Sequence, residues 1–253
     1  MSMPTLPTHN RRALCVAVLA CAFATALHAA DVSRVDGSGR VVKQQRAVSG
    51  FSGIDLELPA NVEVVQGPRE GVHLETDDNI ASHIDTVVES KRLRIRPAKR
   101  STTLNPSRLN ITVYVRSLEQ LNIAGAGTVD IQRLQTPALT LSIAGSARVN
   151  LPALDADTLT LRIAGNGTVN LAGRADAVRA DISGSGEIGA ASLASQTFAL
   201  AIAGAGTAQL WVRQALNVSV VGSGDVAYWG DAVVTKSISG VGQVKRLGSA
   251  PPQ

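Results

Sequence analysis

The chain has 253 residues, 45% of them hydrophobic and only 3% aromatic, with 23 glycines. That length allows one domain with a sizeable core. A core short of aromatic bulk must be filled by Val, Ile, Leu and Ala, which favours β structure in small regular layers. Lysine and arginine number 24 against 20 acidic residues, too even a balance to argue for a nucleic-acid partner.

At the start of the chain, Arg11 and Arg12 precede the apolar run "ALCVAVLACAFATAL", and the small residues of "LHAAD" follow. A positive flank, an apolar stretch too short to span a bilayer comfortably and a small-residue cleavage point make residues 1–29 a signal peptide, cut after Ala29. Two rival readings are a membrane anchor and lipid modification at Cys21 in "VLAC"; the apolar run continues past Cys21, which argues against the second. Cys15 and Cys21 are the chain's 2 cysteines. The mature chain is therefore expected to lack disulfides, thiolate nucleophiles and cysteine-ligated zinc. It is expected to be exported, periplasmic or at the cell surface, with no transmembrane helix.

Residues 30–118 carry longer alternating runs, "FSGIDLELPANVEVVQG", "GVHLETDD", "KRLRIRP" and "LNITVYVRS", which predict strands joined by hairpin-like loops. We read this region as the first turns and the cap of one domain, because an uncovered strand edge invites aggregation. Within it, "DDNIASHID" gathers Asp77, Asp78, His83 and Asp85. The segment suits an N-capped helical turn; the alternative is a metal or catalytic role, with His73 and His83 the only histidines left after cleavage.

From residue 119 to 247 one unit recurs seven times: "LNIAGAGTVDI", "LSIAGSARVNL", "LRIAGNGTVNL", "ADISGSGEIGA", "LAIAGAGTAQL", "VSVVGSGDVAY" and "KSISGVGQVKR". The first glycines are Gly125, Gly145, Gly165, Gly184, Gly204, Gly222 and Gly240, spaced 20, 20, 19, 20, 18 and 18 apart. Apolar residues alternate on both sides of them, which predicts strands. The period is too short for a propeller blade, a helical pair or a strand-helix-strand unit. A leucine-rich repeat would need an Asn ladder that only Asn166 matches. What remains is an all-β, right-handed parallel β-helix-like solenoid with turns of 18–20 residues, stacked about 4.8 Å apart. Gly-x-Gly is its corner, and segments such as "QRLQTPA" and "PALDADT" form the outer corner and return side. Residues 248–253, with Pro251 and Pro252, end the pairing.

The quoted "FSGIDLELPANVEVVQG" and "LRIRP" together with "IAGAGTV", "ISGSGEI" and "VVGSGDV" resemble the "putative auto-transporter adhesin, head GIN domain" family, over about residues 48–244. The resemblance implies a β-helix-like fold and a bacterial envelope or secreted location. It brings no catalytic residue and no cofactor.

Chemistry is sparse. "GSGEIG" matches a dinucleotide fingerprint, but a strand follows it where that site needs a helix N-terminus. Asp130, Asn150 and Asn170 share one column, read as a stabilising side-chain ladder. Trp211 and Trp229 fall at the same position of consecutive turns, with Tyr228 on the opposite parity; as a ligand platform they could stack on a sugar ring, while as a core cover they would share a column with Leu247. The reading is a non-enzymatic envelope protein, structural or adhesive, with a polysaccharide or surface protein as partner. The rival is a carbohydrate-active β-helix enzyme, which needs ionisable groups converging in a groove.

Overall fold

The computed structural model describes residues 33–252; the expected signal peptide, with Cys15 and Cys21, lies outside them. The elements are β1 (Ser33–Asp36), β2 (Val41–Arg46), β3 (Gly53–Leu56), β4 (Ala60–Gln66), β5 (Gly71–Asp77), α1 (Asp78–Ala81), β6 (Ile84–Glu89), β7 (Arg92–Pro97), β8 (Thr102–Asn105) and β9 (Leu109–Val115). They continue as β10 (Gln120–Ile131), β11 (Leu134–Gly165), β12 (Thr168–Gly184), β13 (Glu187–Gly204), β14 (Thr207–Gly222), β15 (Asp225–Trp229), β16 (Val233–Gly240) and β17 (Gln243–Gly248).

The repeats form a β-solenoid of about six turns. Its strands pair in parallel with the turn before and after, Ile163 beside Ile182, then Ile202, then Val220, then Ile238. Burial alternates along each turn, and Leu139, Leu141, Ile143, Ala147, Val149, Leu151, Leu154 and Ala156 of a single turn are all buried. Each Leu, Ile or Val so buried contributes about 1.5–3 kcal/mol, but only once a neighbouring turn covers it. The return side is not loop. Leu134, Leu154, Ala156, Ala175, Leu193 and Val212 bury a third face, and β11 runs unbroken through it.

The first glycine of each unit has a positive φ, from 120° to 135° along the column. A Cβ on Gly184 would stand 2.6 Å from the carbonyl oxygen of Gly165, and the other rungs after the first leave still less room. The chain thus bends where a side chain would point along the stack at the previous turn's backbone. The second glycine differs in the central turns, although Gly127 of the first copy also has a positive φ, 135°. Gly167 has no positive φ, and the nearest atoms a Cβ there would meet are side-chain methyls, Cγ2 of Ile143 and of Ile163 at 3.0 Å and Cδ1 of Ile143 at 3.3 Å. Ala147 already fills that place in its own turn, 2% exposed.

The N-terminal region does not stack in chain order. β10 pairs with β3 and β4; on their far side β3 pairs with β7, and β4 with β9, all in parallel. Residues 53–66 therefore lie between the first repeat turn, residues 120–131, and a turn made from residues 92–115. Beyond that turn the pairing becomes antiparallel, β6 on β7, β5 on β9 and β2 on β5, which closes this end of the stack. Arg46 of β2 holds the closure: its guanidinium donates to the carbonyls of Ala81 and Ile84 and to Thr86 Oγ1. Burial lowers its pKa from the ordinary arginine value.

Candidate functional site

The "DDNIASHID" segment forms a single helical turn, α1, and its side chains do structural work. Asp77 precedes the turn but makes no side-chain cap. Its carboxylate, buried, accepts from Gly39 N (2.8 Å), Ser107 N (2.7 Å) and Ser107 Oγ (2.6 Å). The Ser107 hydroxyl, helped by the backbone donors and opposed by burial, holds the carboxyl below its ordinary value. The stabilisation is present above the unfolded-state value, about 3.9, and is lost as pH falls through the lower folded value. Acid unfolding followed by circular dichroism should show a steep loss of stability below about pH 4. Asp77→Asn should be less stable at neutral pH and flatter in that window. An unchanged acid limb would remove Asp77 from the account. Neither Gly39 nor Ser107 is near Asp77 in sequence, so no local signal announced this network.

Among the described residues, no group of three His, Cys, Asp or Glu stands close enough to hold a metal ion. His73 is exposed on the face of β5, edge-on to Tyr114 with ring centroids 4.9 Å apart. It borders a shallow depression of about 350 Å³ with Lys43, Glu75 and Thr112. Glu75 lies two residues along the same strand rather than across a cleft, and Arg108 binds it at 3.2 Å. His83 is tied through its backbone, donating to Ile80 O and accepting from Ala98 N.

The Asp130 column is a hydrogen-bonded ladder. Asn150 Nδ2 donates to Asp130 Oδ1 (2.7 Å) and Asn170 Nδ2 to Asn150 Oδ1 (3.0 Å). Glu63 of β4 stands beside Asp130 in register, and Gln132 Nε2 donates to it at 2.8 Å. These carboxylates are engaged by amides along the stack, the arrangement of a structural ladder. β13 begins within "GSGEIG", at Glu187, and among the described residues no helix N-terminus meets it.

Trp211 and Trp229 are partners in register on adjacent turns, both half-buried. The Arg213 guanidinium lies 5.1 Å from the Trp211 ring centroid, a cation-π contact. Ser195 Oγ donates to the Trp211 carbonyl at 2.8 Å and pins the strand beneath the indole. Tyr228 belongs to the core: it is 8% exposed and stacks on the Leu210 column, so the outward pair consists of the two indoles alone. Leu247 does not share their column. A register shift gives that place to Gly248 and leaves Leu247 45% exposed.

The family model described as "Putative auto-transporter adhesin, head GIN domain" matches residues 50–232. The chain belongs to that family. Its GIN-domain fold is shared by a solved "putative adhesin" of Bacteroides fragilis NCTC 9343, 24% identical, with TM-score 0.81 over 84% of this chain and 100% of that one. A "putative lipid binding protein" of Parabacteroides distasonis ATCC 8503 is also 24% identical, with TM-score 0.73 over 85% and 100%. A "putative adhesin" of Parabacteroides merdae ATCC 43184 is 20% identical, with TM-score 0.70 over 85% and 99%. At these identities the likeness establishes the fold. No curated protein matches the chain in sequence. No helix among the described residues is long and apolar enough to cross a membrane.

Proposed function

We propose that this GIN-domain protein is an exported, non-enzymatic component of the bacterial envelope. It presents its stacked outer faces to a polymer, with Trp211 and Trp229 as the platform for a sugar ring of an envelope polysaccharide. The observation that carries this reading is the pairing of two outward indoles in register on consecutive turns, since an indole offers a large rigid apolar face with a polar edge. The adhesin family and the signal-type opening of the chain support an envelope setting. The amide-bonded carboxylates of the ladder support a binding rather than a catalytic face.

The test is binding of purified envelope polysaccharides to protein recovered from the envelope fraction, whose first residue this reading places at Ala30. Changing both Trp211 and Trp229 to alanine should weaken binding about tenfold or more, at stacking losses of about 0.5–1.5 kcal/mol per ring, while the circular dichroism spectrum stays that of the parent. Undiminished binding, or loss of the folded spectrum, would return the indoles to a core-covering role. A lipid-modified Cys21 at the N-terminus would replace the soluble mature form by an anchored one.

A further inference from the structure

The two ends of the stack are built differently. At the N-terminal end antiparallel strands cover the parallel edge, and the edge strands left there, β2 and β6, carry no continuation of the repeat columns. At the other end β16 pairs only with β14, and β17 only with β15. Their outer edges therefore offer unpaired N–H and C=O groups among the described residues. The interior columns also continue to this edge: Val234, Ile238 and Val244 pack half-buried on the core with no turn above them. Of the five exposed large hydrophobics among the described residues, Val233, Val241 and Leu247 lie on the last turn and Val221 on the turn before it.

Two columns change character at the last turn. The column of Leu161, Ala180, Leu200 and Val218 ends in Lys236. The column of Ala190, Leu210 and Tyr228 ends in Arg246. Arg246 is satisfied within the fold, donating from Nε to Gly230 O at 2.8 Å and pairing with Asp231. Lys236 has no ion-pair partner among the described residues, although apolar Val234 and Ile238 stand on either side of it along β16.

We infer that this edge accepts an extended protein segment by strand addition, one that sets a carboxylate over Lys236 between two apolar residues. Main-chain groups of β16 supply the pairing, and the three columns supply the selection. An apolar residue over Lys236 would bury an ammonium without compensation. A second copy docked through its own β16 in register would oppose Lys236 with its own lysine. An acidic side chain turns the same column into a buried, paired charge, so charge decides which strands dock.

The probes are two labelled peptides, Val-Val-Thr-Glu-Ser-Ile-Ser-Gly and Val-Val-Thr-Lys-Ser-Ile-Ser-Gly. The second copies β16, and the first places a carboxylate at the lysine. The parent protein should bind the Glu peptide about tenfold more tightly than the Lys peptide or better. Lys236→Glu, an exposed change whose fold circular dichroism verifies, should invert that order. The inference is overturned if neither peptide binds or if the same order holds in both proteins. Sedimentation of the parent as a dimer would overturn it in favour of a second copy at this edge. Lys236-dependent binding to phosphatidylglycerol vesicles without peptide preference would overturn it in favour of a lipid surface.

Discussion

Gly165→Val is expected to destabilise the domain by roughly 3–5 kcal/mol, whereas Gly167→Ala costs at most about 1 kcal/mol. At Gly165 φ is +122°, where a β-branched residue is strained whatever the space. Space is lacking as well, because the added Cβ would run into the Gly145 carbonyl. That oxygen is not free to move, since it accepts the Asn166 amide at 2.9 Å. The turn is central, so a shift at Gly165 would be passed to Gly184 above it. At Gly167 the new methyl meets side-chain methyls of Ile143 and Ile163 and no backbone among its nearest atoms, so a shift of a few tenths of an ångström in those side chains makes room for it. The reduced freedom of the unfolded chain offsets part of the cost. Thermal melts should separate the two variants by roughly 10 °C. Coincident melting curves, or a lower one for Gly167→Ala, would contradict this geometry.

The second large effect is on association rather than stability. Lys236→Leu should make the protein self-associate at tens of micromolar, at concentrations where the parent stays dispersed. The substitution extends an apolar column to the open edge and removes the charge that stands in it. A parallel edge with a continuous apolar row is a template for another edge, and an inward charge is one of the ways natural sheets prevent such pairing. Light scattering after gel filtration measures it, with Lys236→Ser as the control: it removes the charge without adding apolar surface, and should remain dispersed. Equal behaviour of the Leu and Ser variants would show that Lys236 does not guard the edge.

Much of this was legible because a solenoid repeats its own evidence. The invariance of the first glycine within the chain, set against Ala147 at the second position, pointed to the dihedral and the close approach found along the column. The Asp130, Asn150 and Asn170 ladder followed from spacing alone. The third buried face was missed because its inward residues are small or few, as at Ala156 and Ala175, and leave no alternation strong enough to read. The insertion of residues 53–66 between later strands was also unreadable. "GIDLELPANVEVV" alternates like any strand pair, and nothing local says that its partners lie at residues 92–115 on one side and 120–131 on the other. The indole pair was partly legible. Register placed Trp211 beside Trp229, whereas the shift that seats Gly248 instead of Leu247 depends on one irregular residue.

That insertion gives the domain a direction of assembly. A chain threaded out N-terminus first releases residues 53–66 before either of their neighbours exists, and they must wait for residues 92–115 to complete the first closed turn. Closing that long loop is the event expected to be slow. Afterwards each further 18–20 residues has a finished template to zip onto, one turn at a time, with only local chain to order. The wave ends where Lys236 and Arg246 interrupt the columns. Folding of this protein is thus expected to run as a nucleated, one-way polymerisation within a single molecule, with its initiator at one end and its terminator at the other.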